Sequence, residues 1–397
     1  MMYQNTQRQA FVAVLLLLLG AGWAANHFAS MLGPLREQEN FNGVLVSGAY
    51  GIYALGLLPS LLAGGSLLDR IGARKVVLTG GAIAALGNVI LSFWHGEIGL
   101  FGGRFIVGLG VGLVTSAGTV WAGKLRPAGG ITLAGIFLTL GFASGPIVSG
   151  VLVYVLSTGA ALPVSFAVSA IVSLITVLLA LLSGNVAEKP SQNHLTSAAP
   201  AQSADKSSQQ SIVRALSAAL PMAIWVFSCS TTVFVVLSVR VADSFIDRTL
   251  LPGFAAFLSY GAGLGVQMLG RRFGWGPRAG ISAALLAAVG MVLAGAGGGT
   301  PPLWLFIIAC LFLGAAYGLC LQQGLIDIEN LAPSRVHGTV TGTFYVFAYL
   351  GFGLPVLLES LFPIVGVITP FSVLAILALL SALVRCLQIA KTYLFSH

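Results

Sequence analysis

Three groups of residues in this chain carry side chains able to do chemistry inside an apolar medium. The first is Asn26 and His27, an amide and an imidazole late in an apolar run that begins at Phe11. An imidazole titrates near neutrality, so His27 can take up and release a proton where no acid is at hand. The plainer role is a hydrogen bond across helices. The second is Arg104, six residues inside the run that starts at Ile98. A guanidinium in hydrocarbon is costly and asks for a cavity or a partner. The alternative is a side chain snorkelling to an interface only about 9 Å away at 1.5 Å per residue. The third is Glu359, the one acid plainly within a late apolar run, with Asp243 and Asp247 near the same end as alternative proton carriers. Tyr317 joins Tyr50, Tyr53, Trp225, Tyr260, Tyr345 and Tyr349 as aromatic residues at comparable depth, most of them read as packing. Gln322, Gln323, Asp327 and Glu329 crowd one helix end, where a solvated face or a pairing with Arg335 would account for them.

The elements that must position these groups follow from composition. With 57% hydrophobic and only 8% charged residues and a mean hydropathy of +0.96, the chain is polytopic in a membrane; soluble domains carry roughly a quarter charged residues. The runs are long enough for helices to cross a core of about 30 Å, and too long for barrel strands. The expected fold is all-α, with about twelve transmembrane helices near 11–32, 43–64, 76–93, 98–120, 130–155, 162–182, 216–239, 251–269, 279–296, 303–324, 338–360 and 364–386. The first run lacks a cleavage site and reads as a retained helix. Residues 183–214 turn to Ser, Ala, Gln, Asn and Pro, which reads as a flexible linker. It divides a six-helix bundle over 1–182 from a second over 215–397. Cys229, Cys310, Cys320 and Cys386 show no paired spacing and are read as packing residues, with no metal site and no cofactor.

A net charge of +8 could suggest nucleic acid, but the basic residues stand singly or in threes between apolar runs. Arg8, Arg70, Arg74, Lys75, Lys124, Arg126, Lys189, Lys206, Arg214, Arg271, Arg272, Arg278, Arg335, Arg385 and Lys391 all fall on one side of a twelve-helix arrangement, against Arg36, Arg240 and Arg248 on the other. That bias places both termini in the cytoplasm.

Between the second and third runs lies a charged turn, GSLLDRIGARKVVL from Gly65 to Leu78. Its pattern of Gly65, Asp69, Arg70, Gly72 and Arg74 resembles the signature between the second and third helices of the major facilitator superfamily of secondary transporters. Arg272-Phe-Gly274 in the second half is a degenerate copy, with Arg271 in place of the acid. The fourth run, GGRFIVGLGVGLV, sets Arg104 before Gly108, Gly110 and Gly112 and is similar to the superfamily's fourth-helix signature, in which such an arginine serves proton coupling or substrate binding. The fifth, GFASGPIVSG with Gly141, Gly145, Pro146 and Gly150, resembles the fifth-helix signature of drug and metabolite exporters. Ser149 replaces one of its glycines. Small residues let another helix approach and slide, and proline loosens the backbone.

The resemblance implies two pseudo-symmetric bundles rocking about a central cavity, with Asp69 and Arg70 as part of a conformational gate. The expected function is proton-coupled efflux of small amphipathic compounds or metabolites by a monomer in a bacterial inner membrane. The alternatives are uptake of a small nutrient or metal-chelating metabolite, and a non-transporting membrane sensor on the same scaffold. An enzyme is not expected. Many exporters of this kind carry an acid in the first helix, where this chain has Asn26 and His27.

Overall fold

The computed structural model describes residues 2–127, 129–156, 158–183, 206–241, 247–333 and 336–391. Most of the expected linker, 184–205, lies outside these residues, as do Asp243 and Arg335. Where no water can pair with the backbone, an apolar run satisfies its own N–H and C=O groups by coiling into a helix, and the described residues hold twelve long helices. They are α1 (Met2–Asn26), α2 (Gly43–Ile71), α3 (Ala73–Phe93), α4 (Glu97–Leu125), α5 (Gly130–Val155), α6 (Thr158–Leu182), α7 (Lys206–Thr231), α8 (Leu251–Phe273), α9 (Ala279–Ala296), α10 (Leu303–Leu331), α11 (His337–Tyr349) and α12 (Ile368–Ala390). Eleven spans are long and apolar enough to cross a membrane. The exception is α8, whose Ser259, Tyr260, Gln267 and glycines dilute its 23 residues. The protein is an all-α, multi-pass membrane protein.

The packing is two-fold in pattern. α1 lies on α4 and α5, α2 on α4, and α3 on α4 and α6; in the same order α7 lies on α10 and α11, α8 on α10, and α9 on α10 and α12. The halves meet along two matching seams, α5 against α8 and α2 against α11 with its continuation.

Several boundaries differ from the sequence expectation, each for a local reason. The charged turn shrinks to one residue, because α2 runs to Ile71 and α3 starts at Ala73, with Gly72 between them at φ 86° and ψ 148°. A side chain strains the backbone at such a positive φ, so glycine permits two long helices to join without a loop. Gly274 ends α8 at φ 58° and ψ 46° as Gly72 ends α2 at φ 86° and ψ 148°, so the degenerate repeat keeps a glycine at positive φ but not the one-residue junction, a 3-10 turn at Gly276–Arg278 leading into α9. α1 does not run unbroken to Leu32: α geometry gives way at His27 to a 3-10 turn, His27–Met31, and the chain continues helical through Leu32–Gln38, where a loop was expected. Its counterpart α7 also loses α geometry, to a π segment at Thr232–Leu237. α7 begins at Lys206, inside the stretch read as linker. α11 passes through a 3-10 turn, Leu350–Gly353, before continuing as Leu354–Val365. Mid-helix departures of this kind concentrate at functional sites.

Candidate functional site

The broken helices converge on the middle of the two seams, where aromatic rings from both halves stack. Tyr50 of α2 lies face to face with Phe352 from the break in α11, centroids 5.3 Å apart and planes 7° off parallel. Tyr53 leans on the same ring at 5.6 Å. On the other seam Phe142 of α5 stacks on Tyr260 of α8 at 6.0 Å. Tyr260 also meets Tyr317 of α10 edge-on at 5.3 Å and Phe234 of the π segment at 6.0 Å. Phe227 joins Tyr349 at 4.6 Å and Phe352 at 5.1 Å. Most of the tyrosines read as packing therefore share one aromatic layer between the halves. Trp225 stands apart, its indole N–H donating to Ser381 Oγ at 3.0 Å.

Asn26 is the polar centre of that layer, and Pro146 explains why. A proline in α5 has no N–H to give to the carbonyl four residues back, which is that of Phe142. The freed oxygen accepts instead from Asn26 Nδ2 at 3.2 Å, and the same amide nitrogen donates to the Tyr260 hydroxyl in the other half at 2.9 Å. Tyr50 donates its hydroxyl to Asn26 Oδ1 at 3.3 Å. Four residues further, Ser30 donates to the carbonyl of Pro146 itself at 2.7 Å. The fifth-helix signature and the amide of α1 are one device.

Arg104 is fully buried. Because α1 stops being α-helical at His27, its last carbonyls lack helical partners, and Arg104 donates to the carbonyls of Ala24 at 3.3 Å and Ala25 at 3.1 Å. A cation at a helix C-terminus is favoured by the helix dipole. Rings complete the enclosure: the guanidinium carbon lies 4.6 Å from the Phe28 centroid, 4.7 Å from Tyr53 and 5.8 Å from Tyr50. His27 points the other way. Its Nε2 is 3.2 Å from Asn88 Oδ1 in α3, its ring meets Phe166 edge-on, and Asn88 reaches Ser173 of α6 at 3.4 Å. The structure thus places His27 inside the first bundle and leaves Asn26 to face the seam.

Glu359 is not at the centre. It sits at the end of the α2 seam remote from Gly72 and Gly274, where Arg240 of its own half donates to its Oε1 at 3.0 Å and Arg36 of the other half lies 3.5 Å from the same oxygen. Arg240 also covers the Phe362 ring at 4.2 Å. At the Gly72 end, Arg74 binds the last carbonyls of α6, those of Ala180 and Leu181, at 3.2 and 3.0 Å, and Arg70 is exposed. Gly65 and Asp69 belong to α2, but their side-chain surroundings lie outside the described residues. The α5 glycines line close crossings: an added Cβ at Gly141 would meet the carbonyl of Leu19, one at Gly145 the carbonyl of Trp23 at 3.0 Å, and one at Gly150 the carbonyl of Thr249 at 2.8 Å. The first two serve the α1 contact; Gly150 serves the seam, with Gly253 against Ile147 from the other side.

Asp327 corrects the expectation of a solvated helix end. It is buried and forms a two-pronged pair with Arg385 of α12, at 2.7 and 2.8 Å, while Gln323 donates to it at 2.8 Å. Arg385, expected on the cytoplasmic side at the end of the last run, lies inside the second bundle, its Nε donating to the carbonyl of Pro277.

Sequence reasoning missed Phe352, Phe234, Phe227 and Asn88. Asn88 left a signal, an amide in the middle of an apolar run; the phenylalanines left none, because an apolar ring facing a seam and one facing lipid look alike in one sequence.

A family model described as Major Facilitator Superfamily matches residues 12–356. The chain belongs to the major facilitator superfamily. It is a membrane transporter, as are its relatives. The human protein named proton myo-inositol cotransporter is 29% identical over 170 residues, covering 40% of this chain and 26% of that one, so the chain aligns with about a quarter of that relative's length. A POT family transporter solved with a thioalcohol-conjugated peptide superposes with a TM-score of 0.77 at 16% identity, over 96% of both chains. Another solved with 5-aminolevulinic acid gives 0.77 at 17% identity, again over 96% of both chains. At such identities the likeness is one of fold, and this superfamily member shares the fold along nearly its whole length.

Proposed function

We propose that this transporter is a secondary active exporter of small amphipathic compounds or metabolites, coupled to protons and working as a monomer by alternating access. The observation that carries the reading is the hydrogen bond from Asn26 to Tyr260 within the aromatic layer. It spans the two halves at mid-depth, can be exchanged for contacts to a substrate, and lies beside a buried cation. Export, in place of uptake, is favoured by the Gly150 and Gly253 crossing, which lets α5 and α8 slide where exporters carry their signature. Proton coupling is supported by the printed name of the human relative.

In this reading the Gly72 end faces the cytoplasm of a bacterium, as the basic residues favour, and the Glu359 end faces outward. Arg36 and Glu359 hold the outer side shut, and Asp69 with Arg70 and Arg74 hold the inner side in the opposite state. The linker, with 184–205, joins the two moving bodies. Replacing Arg104 by Gln, or Asp69 by Asn, is expected to abolish transport while the protein remains in the membrane. Normal efflux by both variants would sink the proposal. Uptake is the second reading, favoured by the cotransporter name of the human relative; accumulation of substrate inside intact cells would establish it.

A further inference from the structure

The first bundle carries buried donors for which the described residues supply no acceptor. Among those residues the Nε of Arg104, the hydroxyl of Tyr53 and the indole Nε1 of Trp23 have no hydrogen-bond partner, and all three residues are buried. Native proteins leave few such groups, and each calls for a physical explanation. Arg104 uses two N–H groups on the carbonyls of Ala24 and Ala25, out of five that a guanidinium offers.

Among the described residues no acid completes the set. Of the chain's eleven acids, Asp69 ends α2, Glu97 opens α4, Asp327 and Glu329 close α10, and Glu37, Glu39, Glu188, Asp205, Asp243 and Asp247 lie between long helices. Glu359, the deepest remaining acid, is already shared by Arg36 and Arg240. A buried cation held only by carbonyls and ring faces is expensive. It is explained if the counter-charge arrives from outside.

The shape of the missing ligand is marked by Phe352. That ring lies flat on Tyr50 at 5.3 Å and beside Tyr53, and it belongs to the half that withdraws when the seam opens. What replaces it against Tyr50 must be flat and apolar, with an acceptor group toward Tyr53 and Arg104. We propose that the central seam binds a small planar monoanion, an aryl carboxylate or its equivalent. Its oxyanion accepts from Arg104 and Tyr53, and its ring takes the place of Phe352 on Tyr50. This rests on the reading of the seam as the transport site and adds the charge and shape of what is carried.

The test uses the full chain in lipid nanodiscs and three probes that share one ring: benzoate, benzyl alcohol and benzylammonium, each followed by equilibrium dialysis. Benzoate is expected to bind at least about tenfold more tightly than benzyl alcohol, a difference of about 1.4 kcal/mol, and benzylammonium is expected not to bind. Tyr53→Phe should weaken benzoate about threefold or more and benzyl alcohol less, because only the carboxylate bond is charge-assisted, a selective loss that a general loss of fold would not give. Benzylammonium binding as tightly as benzoate, or no binding by any probe up to its solubility limit, overturns the proposal. Thiol labelling of Ser47→Cys in the same nanodiscs separates the two levels of the argument. A seam that opens but prefers the cation refutes the charge assignment alone, and a seam that never opens refutes the transport reading.

Discussion

Removing the charge of Arg36 should unlatch one end of the molecule. The two halves are joined there by Arg36 and Glu359 at 3.5 Å, while Arg240, in the same half as Glu359, holds the carboxylate at 3.0 Å in either state. Only the Arg36 contact must break when the halves part. At an effective dielectric near 20, two charges at that distance attract by about 5 kcal/mol before desolvation and side-chain ordering are counted. With Arg36 28% exposed and Glu359 10% exposed, most of that is offset, leaving about 1–2 kcal/mol in favour of closure. That corresponds to roughly a 5- to 30-fold change in the open population. Ser47 is a suitable reporter, being buried one helical turn after Gly43, where an added Cβ would meet the Glu359 carboxylate, and one before Gly51, where it would meet the carbonyl of Phe352. In permeabilised membranes, a Ser47→Cys chain carrying Arg36→Gln should react with a polar thiol reagent faster by that factor than one with Arg36 intact. An unchanged or slower rate would show that the ion pair does not hold the seam, and the gating argument would fail with it.

Three further outcomes follow from the same geometry. Asp327→Asn leaves Arg385 buried without its counter-ion and should lower stability by about 3–5 kcal/mol, whereas Asp327→Leu combined with Arg385→Met should recover most of the loss; thermal unfolding in detergent reads both. Gly150→Val forces a side chain against the carbonyl of Thr249, 2.8 Å from where its Cβ would lie. Overpacking of about 1–3 kcal/mol at that crossing should stop transport without removing the protein from the membrane, as measured by substrate flux beside a membrane-fraction blot. Asn26→Leu leaves the Phe142 carbonyl and the Tyr260 hydroxyl unpaired, costing about 1–3 kcal/mol for a buried group. The loss should shrink in a Pro146→Ala background, where the Phe142 carbonyl regains its helical N–H; additive losses in that cycle would disprove the coupling of α5 to Asn26.

The helices were legible because the bilayer leaves an apolar run no other way to pair its backbone, and the repeat at Gly72 and Gly274 was legible because a positive φ selects glycine. The roles of Asn26 and Pro146 were visible separately, and their connection was not, since it depends on which carbonyl of α5 faces α1. Arg104 was flagged as a cation needing company, yet its company turned out to be backbone carbonyls and rings, which leave no charge pattern to read. Glu359 was legible as an acid near the end of its helix, but its pairing was not, because its partners, Arg36 and Arg240, are 323 and 119 positions away. Asp327 and Arg385, 58 positions apart, hid in the same manner; a pair that cancels inside a bundle looks in sequence like two solvated helix ends.

The most direct test of the central account compares small molecules in the medium and the cytosol of cells expressing the protein, with and without an uncoupler, beside an Arg104→Gln control. The account predicts planar anionic metabolites enriched in the medium, retained in the cell when the proton gradient collapses, and retained equally by the variant. Depletion of the same compounds from the medium, or export that ignores both the uncoupler and Arg104, would contradict it.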